Sequence, residues 1–328
     1  MTVLQDSNGQ GAPQTNSSVP EADSTTRPID FEKHPVRLRT YSCSTLQAEE
    51  LADRVAAWIN QGVQQAVIFG PPGIGKTYAI RYVTEHLPAK FPDVRFLEVH
   101  AGAVSGAPGR ERLFLEKHVM ELIERAGQRS LVLWIDESQL LDPTTENTLR
   151  NLQDRLKNNG IRLLSVLVGH PRVRTLKQKR VAYASDFPTF VPSVPTEAFE
   201  LHGMRSITEI EHCLKAFDND CFPRDSGWSH TRFFLPQAYL NGFRLAAYAG
   251  DLWQEFVEAD RTTGADTRTE VPMSYFAKTI EHALKEGAAR DGENIIMDRE
   301  FWKRAVHQSG WGERYELRHL VGESYALC

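Results

Sequence analysis

Three mainly apolar runs, at residues 66–69, 131–135 and 163–168, recur through the first part of this 328-residue chain. Each is short and ends on a glycine or an acid, the pattern of a strand buried on both faces in a parallel sheet between helices. Residues 94–99 read as a further strand and 198–201 as a short last one. Between the strands, apolar positions recur at helical spacing. Leu46, Leu51, Val55, Ala56 and Ile59 mark a helix over 44–62 with Ser44 as its cap. Leu113, Phe114, Val119, Leu122 and Ile123 mark another over 110–126, and Leu149, Leu152 and Leu156 a third over 143–157. Strands alternating with helices at this spacing predict a doubly wound α/β core with a parallel sheet.

Beyond residue 206 the strand signals stop. Helices are predicted at 206–218, 236–241, 243–258, 272–287 and 298–308, which together make a C-terminal helical lid. Residues 1–30 are rich in Ser, Thr, Gln, Asn, Pro and Gly, and bury too little to offset the entropy of ordering them. The expected organisation is a disordered arm over 1–30, an α/β core over 31–203, a lid over 204–310 and a tail over 311–328. The tail carries Tyr315, Leu317, Leu320, Val321 and Tyr325 without a clear period, and is a candidate partner-docking segment.

The loop after the first apolar run carries the chemistry. Gly70, Pro71, Pro72, Gly73, Ile74, Gly75, Lys76 and Thr77 lie between a predicted strand and a helix that opens with Tyr78. In that context the glycine-rich loop cradles phosphates: backbone N–H groups line an anion-sized hollow, the helix N-terminus adds partial positive charge, and Lys76 adds a full one. Thr77 would place its hydroxyl on Mg²⁺. Asp136 closes the second apolar run as the natural partner of that Mg²⁺, and Glu137 beside it is placed to orient and deprotonate an attacking water. No Asn-Lys-x-Asp follows a later strand, so the guanine-reading element of GTPases is missing and ATP is favoured.

Composition narrows the setting. With 41% hydrophobic and 25% charged residues the chain is that of an ordinary globular protein. It has no apolar stretch long enough for a membrane span and no signal-like N-terminus, so a cytoplasmic protein with no membrane partner is expected. Cys43, Cys213, Cys221 and Cys328 are scattered, which suggests neither a zinc site nor a disulfide framework. The net charge of -5 disfavours nucleic-acid binding by the whole surface but permits a local basic patch.

The phosphate loop, the Asp136-Glu137-Ser138-Gln139 box, the helix with Leu149-Arg150-Asn151-Leu152, and the strand ending Gly169-His170-Pro171 resemble AAA+ ATPases. The spacing is most similar to the transposition-regulator branch, TnsC and TniB, and more distantly IstB and MuB. The resemblance covers about residues 40–260 and implies several roles. His170 would occupy the place of the polar residue that contacts the γ-phosphate region, where this branch often carries Thr or Ser; a structural histidine is the alternative. Arg244 would reach from the lid to the phosphates, the alternative being a surface arginine. A neighbouring subunit would supply an arginine finger from the basic run Arg172, Arg174, Lys177, Lys179 and Arg180, with Arg174 and Arg180 preferred; a solvated helix face is the bland reading. Arg110, Arg112 and Lys117 would contact phosphates of double-stranded DNA, or be ordinary surface cations. The implied protein is a homo-oligomer, ring or helical filament, that recruits a transposase and a target-selection protein and disassembles on hydrolysis. A helicase loader or replication-initiation ATPase, and a protein-only signalling ATPase, are the other readings of the same core.

Overall fold

The computed structural model describes residues 25–41, 44–104, 128–171, 197–262, 269–292 and 295–312. Its sheet contains β1 (Gln65–Phe69), β2 (Val94–His100), β3 (Ser130–Asp136), β4 (Arg162–Gly169) and β5 (Glu197–Glu200), in the order β2-β3-β4-β1-β5. All four pairings are parallel, with Ile68 opposite Val168 and Trp134 opposite Val166. Because side chains alternate across a strand, each central strand feeds two cores. Ile68, Trp134 and Val166 face α2 (Leu46–Gln61) and α3 (Lys76–His86) through Leu51, Val55, Ile80 and Val83. Val67, Leu133 and Leu167 face the other way, onto Leu152 and Leu156 of a later helix, Pro143–Asn158. Fully burying one such leucine or valine contributes about 1.5–3 kcal/mol, so these two layers hold the sheet.

The ends of the helices follow from local chemistry. Thr45, not Ser44, caps α2: it is extended (φ -122°, ψ 149°) and its hydroxyl accepts the Ala48 N–H at 3.0 Å. Ser44 turns its own hydroxyl to Glu49 and His212 instead. After β2 comes the short α4 (Ala101–Val104), and Asp142 caps α5 (Pro143–Asn158) by accepting the Thr145 N–H at 2.7 Å.

The lid comprises α6 (Ile207–Asn219), α7 (His230–Phe234), α8 (Pro236–Leu240), α9 (Ala249–Thr262), α10 (Met273–Ala288) and α11 (Arg299–Gln308). The expected helix over 243–258 starts late, at Ala249, after a 3-10 turn at Leu245–Tyr248. The buried Asp218 carboxylate accepts the Leu245 and Ala246 N–H groups at 3.0 Å and holds that approach out of the helix. The α7 turn, capped by Ser229, had no periodic signal of its own because it is five residues long.

A strap of residues 25–41, including α1 (Pro35–Leu38), packs on the lid through Phe31 and Val36 and meets Tyr78 of α3 through Tyr41. The Arg27 guanidinium donates to the Phe233 carbonyl at 2.7 Å, and Phe31 packs against the rings of Phe233 and Phe234. His34 is fully buried, stacked 4.1 Å from Phe233, with its Nε2 3.4 Å from His230 Nδ1. Burial lowers His34 from 6.5 to about 3, helped by the neighbouring His230, and burial alone lowers His230 to about 4. The helices expected at 110–126 and 172–180, most of the arm and the tail beyond Gly312 lie outside the described residues.

Candidate nucleotide site

The loop from Gly70 to Thr77 leaves β1 at the C-terminal edge of the sheet. Its first N–H, of Gly70, donates to the Gly169 carbonyl at 3.2 Å, which joins it to the tip of β4. Gly73 and Gly75 have φ of +74° and +102°, values that side-chain-bearing residues rarely adopt. No side chain caps the start of α3, a helix end whose N–H groups suit an anion. Lys76 folds back to donate to the Gly70 and Pro71 carbonyls, each at 3.0 Å. Burial lowers its pKa, while the carboxylates of Glu137 and Asp136 pull it back up.

The acidic pair meets the loop from β3. Thr77 Oγ1 lies 3.4 Å from Asp136 Oδ2, and Asp136 Oδ1 accepts the Glu137 N–H at 2.8 Å. Glu137 sits at φ 52°, ψ 38°, a left-handed conformation. Such a conformation costs a non-glycine residue about 1–2 kcal/mol and turns its side chain out of the strand direction. Its carboxylate is held by the Gln139 amide, whose oxygen in turn accepts the His170 N–H at 3.2 Å.

A cavity of about 550 Å³ opens over the loop, within the range that small-molecule sites occupy. The core lines it with Lys76, Thr77, Tyr78 and Glu137, the lid with Ser274, Lys278 and Glu281 of α10, and the strap with Arg39 and Tyr41. Arg39 closes one side by pairing with Glu281 at 2.9 Å. The lid touches the loop directly, since the Ser274 N–H donates to the Gly73 carbonyl at 3.0 Å. A Cβ on Gly73 would stand 2.7 Å from Ser274 Oγ. Gly73→Ala is therefore expected to destabilise the protein by about 1–2 kcal/mol and to weaken nucleotide binding, since both φ and the lid contact resist it. Thermal unfolding and a nucleotide titration check this; an unchanged melting temperature and affinity would refute the contact.

The predicted residues divide into three groups. Gly70 to Tyr78, Asp136, Glu137 and His170 come together at one end of the sheet. Arg244 does not join them. Its guanidinium donates to the Tyr239 and Phe243 carbonyls and lies over the Tyr239 ring at 3.7 Å, because its extended backbone (φ -140°, ψ 134°) turns it back on α8. Arg110, Arg112, Lys117, Arg174 and Arg180 lie outside the described residues. Sequence reasoning missed Arg39, Arg81, Ser274 and Lys278 at the cavity; none belongs to a motif. The start of α10 is set beside the loop by an antiparallel bridge between Met204 and Val271.

The donor set suits a magnesium nucleotide. Among the described residues no group of three or more His, Cys, Asp or Glu could hold a metal. Thr77 and Asp136 offer one hydroxyl and one carboxylate 3.4 Å apart, a set that would suit Mg²⁺, which is commonly carried by one or two carboxylates together with phosphate oxygens and water.

Comparison with known proteins finds a family match over part of the chain. Residues 66–179 match the family described as "ATPase family associated with various cellular activities (AAA)". With the parallel sheet and its flanking helices, the chain has an α/β P-loop ATPase fold and carries an AAA ATPase domain. No curated protein matches the chain in sequence. Among solved structures it is similar to the Aeropyrum pernix ORC1 protein in complex with DNA, at 16% identity over 83% of this chain and 64% of that one, with a TM-score of 0.41. A point variant of Thermotoga maritima RuvB is similar at 12% identity over 80% of this chain and 67% of that one, with a TM-score of 0.44. DnaA from Aquifex aeolicus bound to AMPPCP shares 16% identity over 89% of this chain and 96% of that one, with a TM-score of 0.33. The chain thus spans just under two thirds of the ORC1 chain. Among the described residues no helix is long and apolar enough to cross a membrane.

Proposed function

We propose that the protein is a cytoplasmic, ATP-hydrolysing switch that assembles as a ring or filament on double-stranded DNA and regulates transposition. In this reading it recruits a transposase, links it to a target-selection protein, and comes apart when ATP is hydrolysed. The observation that carries the nucleotide part is the cavity shared by the phosphate loop, Glu137 and α10. Lys76 and the loop N–H groups neutralise the phosphates, and Glu137 accepts the proton of a water that attacks the terminal phosphorus. Mg²⁺, held with Thr77 and Asp136, would supply further charge neutralisation. Because Ser274 is bonded to Gly73, phosphates settling into the loop shift α10, and the lid reports occupancy as shape. A neighbour's Arg174 or Arg180 would complete the site, His170 would lie against the γ-phosphate region, and Arg110, Arg112 and Lys117 would face the DNA backbone. The transposition role rests on the resemblance of the acidic box and the following strand to that branch.

Electron microscopy with ATP, a slowly hydrolysed analogue or ADP, each with and without duplex DNA, tests the reading. ATP-dependent rings or filaments that form on DNA and weaken steeply with salt are expected, since phosphate contacts release counterions. Assemblies indifferent to DNA would overturn the DNA role, and ATP-driven strand separation would overturn the switch.

A further inference from the structure

Gln139 stands between the strand tip that carries the acidic pair and the strand tip that carries His170. Its amide nitrogen donates to Glu137 Oε2, and its amide oxygen accepts the His170 backbone N–H at 3.2 Å. A carboxylate only accepts and a backbone N–H only donates, so an amide serves both and a carboxylate at this position could not. The Leu140 N–H donates to the Glu137 carbonyl at 2.8 Å, which folds Ser138–Leu140 into a 3-10 turn and fixes Gln139 over the strand ends. On the far side, Gly70 is bonded to Gly169, the residue before His170. A connected path therefore runs from the phosphate loop, through the tip of β4 and the Gln139 amide, to the Glu137 carboxylate.

From this path we infer that Gln139 is a positioning residue for hydrolysis. It fixes Glu137 by one oxygen, leaves Oε1 to take the proton of the attacking water, and makes that orientation depend on the tip of β4. The inference rests on the hydrolytic role proposed for Glu137. In the step it serves, the water oxygen bonds to the terminal phosphorus while the bond to the bridging oxygen breaks. The electron pair leaves on the diphosphate, and the water proton passes to Glu137. Gln139 touches none of the reacting atoms.

ATP turnover and nucleotide affinity of the Gln139 variants test it. Q139A is expected to lower kcat about 10- to 100-fold, with KM and nucleotide Kd within about twofold of wild type. Q139E, which sets a second carboxylate against Glu137, falls at least as far, and Q139N, which keeps the amide, recovers part of the loss. Added to Glu137→Gln, Q139A produces no further loss, because its effect runs through that one carboxylate. A side chain that only packs would lower affinity and turnover together, or add its own loss in the double variant. Either result overturns the inference, as does an unchanged or raised kcat in Q139A with normal wild-type turnover. A wild-type protein that binds ATP without turning it over removes the hydrolytic reading itself, and the inference with it.

Discussion

Glu137→Gln is expected to slow ATP hydrolysis by about 100- to 10,000-fold, the range a general base contributes, while leaving nucleotide affinity close to wild type. The two effects separate because, in the proposed reading, the loop N–H groups, Lys76 and Thr77 hold the phosphates, whereas the Glu137 carboxylate faces the cavity from the end of β3. An amide there keeps the shape and the contact to Gln139 but takes up no proton. Assemblies formed with ATP should then persist for as long as ATP stays intact, and single-turnover hydrolysis alongside microscopy reads both. Lys76→Ala should do the opposite and lose binding first, because it removes the ammonium that the loop carbonyls hold. Wild-type turnover in Glu137→Gln would show that another group is the base.

Acidification from pH 7.5 to 5 is expected to loosen the strap and lid by roughly 2–4 kcal/mol. His34 and His230 are both buried and neutral, with pKa values lowered from 6.5 to about 3 and about 4. Above pH 6.5 folded and unfolded chains bind the same number of protons at these sites, so the pair leaves stability independent of pH there. Between 6.5 and about 4 the unfolded chain takes up protons that the folded one refuses, and stability falls as pH falls. The rings packed on His34 and His230, those of Tyr41, Phe217, Phe222, Phe233 and Phe234, carry no negative charge to hold an imidazolium in place. Denaturant titrations at several pH values measure the slope, and replacing His34 by Gln should flatten it. An equally steep slope in that variant would place the titrating groups elsewhere.

The sheet was legible because its strands are buried on both faces, and a run such as Leu131 to Ile135 has few other uses. The phosphate loop and acidic pair were legible because their chemistry demands residue types at fixed spacing. The strap was not. Arg27, Phe31, His34 and Val36 follow no period, and their partners at Phe233 and Phe234 lie 200 residues away in sequence, as the Arg27 bonds show with separations of 206 and 207. The setting of Arg244 was hidden for a related reason. Asn241-Gly242-Phe243-Arg244 reads as the opening of a helix, but the turn that follows is governed by the carboxylate of Asp218, which no local pattern announces. The lid contact at Ser274 is made by a backbone N–H and so leaves no trace in residue type.

The strap also sets an order of events during synthesis. Arg27 to Tyr41 leave the ribosome well before their seats on α7 and Glu281, which are translated some two hundred residues later. A growing chain can close the sheet around β1, β3 and β4 while Phe31 and His34 still lack their partners. Such long-range pairing is slow and leaves apolar groups uncovered in the meantime. The wall that Arg39 and Tyr41 give the cavity is thus made well before the α10 residues it closes against, and it can take its place only once Glu281 has been translated.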